Sequence, residues 1–238
     1  MPEVAVLVPW RPDPQRQRIW EWVHNRYRQQ HPDWEIVLQP APDGPWRKAC
    51  AVNTAARACS AGTVIVADAD VWAPNLQQAV DLVHGGAGWV IPHRYVHRLT
   101  EQATKIVLEG GCATDTEEHP YFGVEGGGIV VLPRETLLDV PMDERFCGWG
   151  QEDQAWGIAL HFLIGPAVRL NADLTHLWHP PQPRDNRKIG SLASFALHRR
   201  YLKARHDPDL LRDLLKEATQ NDPEHPDQPA VSDRHAHR

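Results

Sequence analysis

The hydrophobic and polar positions of the first 92 residues follow two alternating periods. Short runs of branched apolar residues such as VAVLV are typical of strands buried in a parallel sheet, and apolar residues three and four positions apart are typical of the helices that cover it. Predicted strands cover Glu3–Pro9, Trp34–Leu38, Thr63–Ala67 and Trp89–Pro92, and predicted helices cover Pro14–Gln29, Trp46–Cys59 and Leu76–Val83. This alternation predicts an α/β fold with a mostly parallel central sheet and right-handed crossovers.

The remaining chain carries a weaker pattern, which begins with a glycine-rich, irregular segment over about 110–128. After it, strands are predicted over Gly126–Val131 and Ala167–Leu170, a short helix after Pro133 and a longer helix over Gln151–Leu163. The amphipathic segment Leu192–Ala218 is one long helix or two helices separated at Asp207-Pro208. We therefore expect a main domain over 1–185, a helical extension over 186–220 packed on it, and a disordered polar tail over 221–238.

Composition and charge narrow the function. The 238 residues include 25 Lys and Arg against 31 Asp and Glu, a net charge of −6, whereas nucleic-acid-binding proteins usually present a basic face. No apolar run approaches the roughly 18 residues that span a bilayer, and the opening MPEVAVLVPWRP lacks a basic region and a cleavage site. We expect a soluble, cytoplasmic protein with no nucleic-acid partner and no membrane span.

Two carboxylates, Asp68 and Asp70, follow directly on the strand predicted over Thr63–Ala67. Carboxylates at the end of a buried strand are costly unless a positive group neutralises them. A divalent ion such as Mg²⁺ or Mn²⁺ does so and keeps coordination positions for substrate phosphates, while a solvent-facing turn with one helix-capping aspartate explains the same pair. Ligands of parallel sheets bind where strands end, and the residues predicted to line that edge together are Trp10, Arg11, Asp43, Asp68 and Asp70.

A second group of residues, FCGWGQED, ends in Glu152 and Asp153 at the start of a predicted helix. Stabilisation by the helix dipole accounts for two carboxylates at that position. It does not account for Trp149 between two glycines. A reaction on a sugar hydroxyl needs a surface for stacking and a base to take the proton, and this segment offers both.

A third group, THLWHP, places His176 and His179 three residues apart. Neutral imidazole is a ligand for Mn²⁺ and Zn²⁺, so either histidine is a candidate metal ligand. A satisfied core or surface histidine is the alternative for each of them. The order of the three groups on an α/β chain is much rarer than any one of them alone.

In this order the groups resemble glycosyltransferases of the GT-A fold, of the β-1,4-galactosyltransferase and polypeptide N-acetylgalactosaminyltransferase C-terminal-region type, over about Val4 to Pro180. VAVLVPWRPD resembles the family's first strand and nucleotide-contacting segment, and RKACAVNTAARACSAGTVIVADAD resembles the helix that leads into the metal-binding DxD. EGGGIVVLPRETL, MDERFCGWGQED and HLWHP resemble the Gly-Gly strand, the Gly-Trp-Gly-x-Glu-Asp segment and the terminal metal-binding histidine. Gln154 stands where the galactosyltransferases have another acid, and the region between Asp70 and Gly126 has no clear counterpart.

The resemblance implies a GT-A domain over 1–185 that moves a sugar from a nucleotide diphosphate sugar, a UDP-sugar, to an acceptor hydroxyl on a glycan or protein, with Mn²⁺ or Mg²⁺ as cofactor. It implies that Asp70 ligates the metal, that Asp68 binds the ribose or a metal-bound water, and that His179 completes the metal site. The residues that it implies for the donor are Pro9, Arg11, Asp43, Lys48, Asp68 and Asp70.

On the acceptor side, the resemblance implies that Trp149 forms a stacking platform beside Gly127 and Gly128. It further implies that Glu152 holds hydroxyl groups and that Asp153 is the general base. The retaining N-acetylgalactosaminyltransferases have Asn at the position of Asp153, so the acid here favours inversion at the anomeric carbon.

Two other classes of protein remain as alternatives. A non-catalytic, lectin-like protein on the same fold would bind sugar through its tryptophans, but it predicts decay of the charged site, whose acids and His179 are all present. A metal-dependent nucleotidyltransferase also uses paired aspartates. That class needs a phosphate-binding signature, and Gly126 to Gly128 are not followed by the Lys and Ser or Thr of a P-loop.

Overall fold

The computed structural model of the chain describes residues 3–180 and 191–220. Its strands are β1 (Val4–Trp10), β2 (Glu35–Pro40), β3 (Thr63–Ala67), β4 (Val71–Trp72), β5 (Val90–Ile91), β6 (Tyr95–Arg98), β7 (Tyr121–Phe122), β8 (Ile129–Pro133), β9 (Val168–Arg169) and β10 (Asp173–His176). Its helices are α1 (Pro14–Gln30), α2 (Lys48–Ala58), α3 (Leu76–His84), α4 (Glu101–Leu108), α5 (Arg134–Asp139), α6 (Glu152–Leu163), α7 (Leu192–Ala204) and α8 (Pro208–Gln220).

The central sheet has six strands in the order β2-β1-β3-β8-β5-β9. Pairs β1–β2, β1–β3 and β5–β9 are parallel, and β8 runs antiparallel to both of its neighbours. The predicted α/β class with a mixed, mostly parallel sheet flanked by helices is confirmed. The carboxyl ends of β1 and β3 meet at one edge, which is where ligands bind to such sheets.

Alternate residues of β1 face opposite sides of the sheet, because successive side chains of a strand do so. Val6 packs in the apolar layer that contains Trp20 and Val23 of α1, whereas Leu7 packs in the layer that contains Val52 of α2. Burial on both faces explains the uninterrupted apolar run. The two layers fix α1 and α2 at the two sides of the edge where β1 ends.

A second sheet of four short strands, in the order β4-β10-β6-β7, lies beyond the first. β10 pairs with β4 and β6, so that Thr175 faces Trp72 and His176 faces both Val71 and Arg98 in the registers. This sheet brings the histidine segment back beside the aspartates that follow β3. It builds the part of the fold for which the sequence pattern predicted no elements.

Two helices, α7 and α8, form the described part of the C-terminal segment, so the two-helix alternative is the one observed. The Asp207 carboxylate caps α8 by accepting hydrogen bonds from two backbone N–H groups. Arg145 joins α8 to the central domain, since it donates to Asp143 at 2.7 Å and to Glu217 at 2.7 Å. The predicted boundary at 185/186 and the predicted tail over 221–238 lie outside the described residues. Within the ranges 3–180 and 191–220, no helix combines the length and the apolar character needed to cross a membrane.

Candidate active site

A cavity of about 480 Å³ opens at the edge of the central sheet where β1 and β3 end. Segments from β1, β3, β6, β10, the 126–128 loop and the start of α6 surround it. The predicted site residues that line it are Pro9, Arg11, Lys48, Asp68, Asp70, Gly127, Gly128, Trp149, Glu152, Asp153 and His179.

Asp43 is the predicted donor residue that the cavity lining does not include. It is exposed in the turn that follows β2. The backbone of this turn does contact the predicted site, because Arg11 Nη2 donates to the carbonyl oxygens of Pro42 at 3.2 Å and Pro45 at 3.1 Å. The turn therefore positions Arg11 through its main chain, and the Asp43 side chain has no contact that would bring it to the cavity.

One wall of the cavity holds a group of candidate metal ligands, Asp70, His176 and His179. His179 Nε2 lies 3.0 Å from Asp70 Oδ2, and His176 Nε2 lies 3.8 Å from Asp70 Oδ1. One ligand atom from each residue lies within 4.8 Å of the others. A carboxylate with two imidazoles is a donor set suited to first-row divalent ions. We refer to these three residues as the Asp-His-His group.

The backbone around the Asp-His-His group is fixed from both sides. Leu177 N donates to the carbonyl oxygen of Asp70 at 2.8 Å, and Trp178 N donates to Thr104 Oγ1 of α4 at 2.8 Å. These bonds hold the turn between His176 and His179 over the end of β3. Both histidines, rather than one of them, therefore reach the same aspartate.

Protonation in this group favours a cation. Burial lowers the pKa of His176 to about 4, so its imidazole is neutral at pH 7. Burial alone would raise the pKa of Asp70, but His176, His179 and Arg16 outweigh it and hold that pKa well below its usual range. His176 Nδ1 is buried and has no hydrogen-bond partner among the described residues. An ionised carboxylate and a neutral imidazole are states that bind a metal, and the donor set of a carboxylate and two imidazoles fits a divalent ion.

Asp68 is not part of the Asp-His-His group. Its Oδ1 lies 2.7 Å from Lys48 Nζ, and the same ammonium lies 2.8 Å from Asp153 Oδ1. The Lys48 side chain is only 5% exposed, against 31% for Asp68 and 24% for Asp153. A single buried ammonium thus bridges the first aspartate of the DxD and the acid at the start of α6.

This bridge sets the charge of the opposite wall. Burial lowers the pKa of Lys48, but Asp153, Asp68 and Glu152 reverse the effect and leave that pKa above its usual range. Burial raises the pKa of Asp153, and Lys48 opposes the rise. Burial and the Asp153 charge raise the pKa of Glu152 to about 7, and Glu152 Oε2 has no hydrogen-bond partner among the described residues.

Left-handed backbone presents the Trp149 side chain to the cavity. Gly148 and Gly150 have φ of 82° and 113°, and Gln151, at the N-cap of α6, has φ of 73°. A non-glycine residue in this region is strained and is often found at functional sites. The two glycines that flank Trp149 in the sequence are therefore explained by a backbone that turns sharply before α6 begins.

The glycines at 126–128 allow α6 to lie directly against the loop before β8. A Cβ at Gly126, whose φ is 82°, would collide with the carbonyl oxygen of Asp153, and a Cβ at Gly157 would lie 2.5 Å from the carbonyl oxygen of Glu125. The backbone N–H of Asp68 donates to the carbonyl oxygen of Gly128 at 3.0 Å. These contacts hold the loop before β8 against the first turn of α6 and so fix the backbone position of Asp153.

Comparison with known proteins bears on the fold. No family profile matches the chain, and no curated protein matches its sequence. A solved structure of GalNAc-T7 with UDP, GalNAc and Mn²⁺ aligns at a TM-score of 0.52 and 10% identity, over 91% of this chain and 55% of that chain. The chain has the GT-A glycosyltransferase fold. A mutant of β-1,4-galactosyltransferase 7 from Drosophila, complexed with manganese, UDP-Gal and xylobiose, aligns at a TM-score of 0.44 and 15% identity, over 80% of this chain and 68% of that chain.

Our chain spans just over half the length of the GalNAc-T7 chain. What the two proteins share at this level is therefore the arrangement of strands and helices. The GT-A fold places the edge with β1 and β3 at the centre of the cavity. The chemistry has to be argued from the side chains that line it.

Three residues that line the cavity, Arg16, Trp46 and His93, were missed by the sequence analysis. Arg16 reaches the cavity from α1. Trp46 lies beside the predicted Arg11, whose guanidinium carbon is 5.4 Å from the centre of the Trp46 ring. His93 is buried with no hydrogen-bond partner on either ring nitrogen among the described residues. Burial lowers its pKa to about 4. For Arg16 the sequence did offer a signal: it lies in the first turn of α1, three residues after the helix cap Asp13, and that turn begins at the predicted sheet edge.

Proposed function

We propose that the chain is a metal-dependent glycosyltransferase that moves a sugar from a nucleotide diphosphate sugar, a UDP-sugar, to the hydroxyl of an acceptor glycan or protein. One observation supports this more than any other: a single cavity holds the Asp-His-His group on one wall and Asp153, paired with a buried lysine, on the other. The separation of a cation-binding wall from a proton-accepting wall is what displacement of a diphosphate by a hydroxyl requires. Mn²⁺ or Mg²⁺ is the proposed cofactor and the cytoplasm the proposed location.

The Asp-His-His group would hold the metal, which stabilises the negative charge of the departing diphosphate. Arg11 and Trp46 form a basic and aromatic surface beside it for the nucleotide. Asp68 is paired with Lys48, so we assign it to the donor side of the cavity and not to direct binding of the metal.

Asp153 would take the proton of the acceptor hydroxyl as the hydroxyl oxygen bonds to the anomeric carbon and the bond from that carbon to the diphosphate oxygen breaks. Attack from the side opposite the diphosphate inverts the anomeric configuration. Lys48 opposes the rise in the pKa of Asp153 and fixes one of its oxygens, and the other oxygen is left for the hydroxyl. Trp149 provides the stacking surface, and Gly127 and Gly128 allow the sugar to approach the backbone.

The test replaces the proposed base. Asp153→Asn keeps the size of the side chain and removes its proton affinity. Transfer in the presence of Mn²⁺ is expected to fall by about 10² to 10⁴-fold, while affinity for UDP with Mn²⁺ stays within about threefold, less than 1 kcal/mol. Asp33→Asn, on an exposed turn, is the control and should leave both unchanged.

The reaction is first established by a panel of nucleotide sugars, read as nucleotide release with and without acceptor. Full transfer activity of Asp153→Asn would reject Asp153 as the base, and a product of retained configuration would reject inversion. Equal affinity for UDP in Mn²⁺ and in EDTA would remove the metal from the proposal. Sugar binding with no transfer for any donor would favour the lectin-like alternative.

A further inference from the structure

Arg16 is a cation that contacts the Asp-His-His group directly. Its Nη1 lies 3.6 Å from Asp70 Oδ2, and its Nη2 lies 3.1 Å from both ring nitrogens of His179. The side chain is 21% exposed and extends from α1 into the cavity. The resemblance to known glycosyltransferases assigned no role to this residue.

The backbone of Arg16 is fixed by the helix cap, whereas its side chain is held only by the contacts at its end. Asp13 caps α1, and its Oδ1 accepts hydrogen bonds from the N–H groups of Gln15 at 2.9 Å and Arg16 at 3.1 Å. The guanidinium lies at the end of a side chain with four rotatable bonds. A change of rotamer can therefore move the charge by several ångströms while α1 stays in place.

The charge of the Asp-His-His group explains why a guanidinium lies there. Asp70 is a buried carboxylate, and a buried negative charge needs a positive partner. Arg16 supplies that partner. A divalent ion bound by the same oxygen and nitrogen atoms would supply two positive charges, and like charges about 4 Å apart repel strongly in a partly buried site. Arg16 and the ion cannot both keep these contacts.

A guanidinium displaced from Asp70 would remain inside the cavity that Arg16 lines. A diphosphate drawn to the ion would lie beside it, and guanidinium groups bind phosphate oxygens through two parallel hydrogen bonds. Arg11 and Arg98 also line this cavity, so its surface is suited to a polyanion. A short rotation of Arg16 away from Asp70 would place its charge next to that diphosphate.

We propose that Arg16 has two positions in the reaction cycle: it neutralises Asp70 in the metal-free protein and binds the donor's diphosphate once the metal has taken its place. This inference rests on the proposed function, because it needs both the metal and the diphosphate. It predicts effects of opposite sign from a single substitution. Loss of Arg16 makes metal binding tighter and diphosphate binding weaker.

The test is Arg16→Met, which keeps an unbranched side chain of similar length and removes the charge. Titration of Mn²⁺ alone, followed by calorimetry, should show about threefold to tenfold tighter binding than the unchanged protein, the worth of a partly buried ion pair. Titration of UDP at saturating Mn²⁺ should show binding at least about tenfold weaker, the worth of a charged hydrogen bond. Arg18→Met, at an exposed position of the same helix, is the matched control.

Arg16→Lys keeps the charge and guards against a general effect of substitution. It should leave Mn²⁺ affinity within about twofold of the unchanged protein, well under 1 kcal/mol, and restore part of the UDP affinity. Mn²⁺ binding to Arg16→Met that is unchanged or weaker, with the unchanged protein binding Mn²⁺, overturns this inference and leaves the proposed function standing. Unaltered UDP affinity overturns the diphosphate contact. A protein that binds no Mn²⁺ at all rejects the metal site of the proposed function itself.

Discussion

Lys48→Met tests whether the buried ammonium holds the two acidic segments of the cavity together. The substitution removes the partner that lies 2.7 Å from Asp68 and 2.8 Å from Asp153, and it keeps the volume of the side chain close to that of lysine. Removal of one partner from a buried ion pair costs about 3–5 kcal/mol. Both carboxylates are partly exposed to the cavity, where water reaches them, so we expect a loss near the lower limit, about 3 kcal/mol.

This loss depends on pH in a defined direction. Without Lys48, burial raises the pKa of Asp153 with nothing to oppose it. A carboxyl group whose folded pKa exceeds its unfolded value binds more protons in the folded state, so the free energy of unfolding falls as pH rises. The deficit of Lys48→Met should therefore be smaller at the lower pH and larger at the higher pH.

The assay is thermal and urea unfolding at pH 5 and pH 7.5. In a chain of this size 1 kcal/mol shifts Tm by about 2–4 °C, so Tm should fall by roughly 6–12 °C at the higher pH. The control is Lys105→Met, which breaks an exposed pair with Glu101 at 2.8 Å and should cost at most about 0.5 kcal/mol. A Lys48→Met protein as stable as Lys105→Met at pH 7.5 would refute the reasoning.

Two further substitutions test the surroundings of Asp153. Burial raises the pKa of Glu152 to about 7, whereas the same group in the unfolded chain releases its proton near pH 4.5, so the free energy of unfolding falls between these pH values. Glu152→Gln should remove up to about 3 kcal/mol of that fall, measured by urea unfolding across the range. A fall of the same size in Glu152→Gln would contradict the raised pKa of Glu152. Gly126→Ala should lower the free energy of unfolding by more than about 2 kcal/mol, because a Cβ there collides with the carbonyl oxygen of Asp153 in addition to the strain of a positive φ. The control Gly44→Ala has only the strain of a positive φ and should cost about 1 kcal/mol. Equal costs of the two substitutions in urea unfolding would reject close packing of α6 as the reason for Gly126.

The long elements of the fold could be predicted because their apolar positions report burial directly. β1 was predicted over Glu3–Pro9 and is found at Val4–Trp10, where every residue is buried. The second sheet could not be predicted, since β4 and β7 have two residues each and owe their conformation to the strands beside them. α4 was missed for a related reason, as it is short and only two of its eight residues are buried.

The candidate site divides in the same way. The resemblance implied that the DxD, Asp153 and His179 belong to one site, and in the structure Asp68, Asp70, Asp153 and His179 line one cavity. The sequence could not indicate which carboxylate pairs with Lys48 and which contacts the histidines. Lys48 and Asp153 are 105 positions apart, and only the packing of α2 and α6 on the same face of the sheet allows one ammonium to reach both Asp68 and Asp153. Whether an aspartate meets a metal ligand or a lysine depends on such distances, which no local pattern encodes.

The contact between Arg16 and His179 joins positions 163 residues apart, and this separation bears on how the protein folds. A contact between residues so far apart in the sequence forms late in folding, because closing a long loop costs conformational entropy until other contacts have shortened that loop. Mn²⁺ would then find its ligands together only in the last stage of folding, when β10 has paired with β4 and β6. An ion of this kind slows unfolding far more than it speeds folding. Removal of the ion would then shorten the lifetime of the folded protein without slowing the folding of new chains.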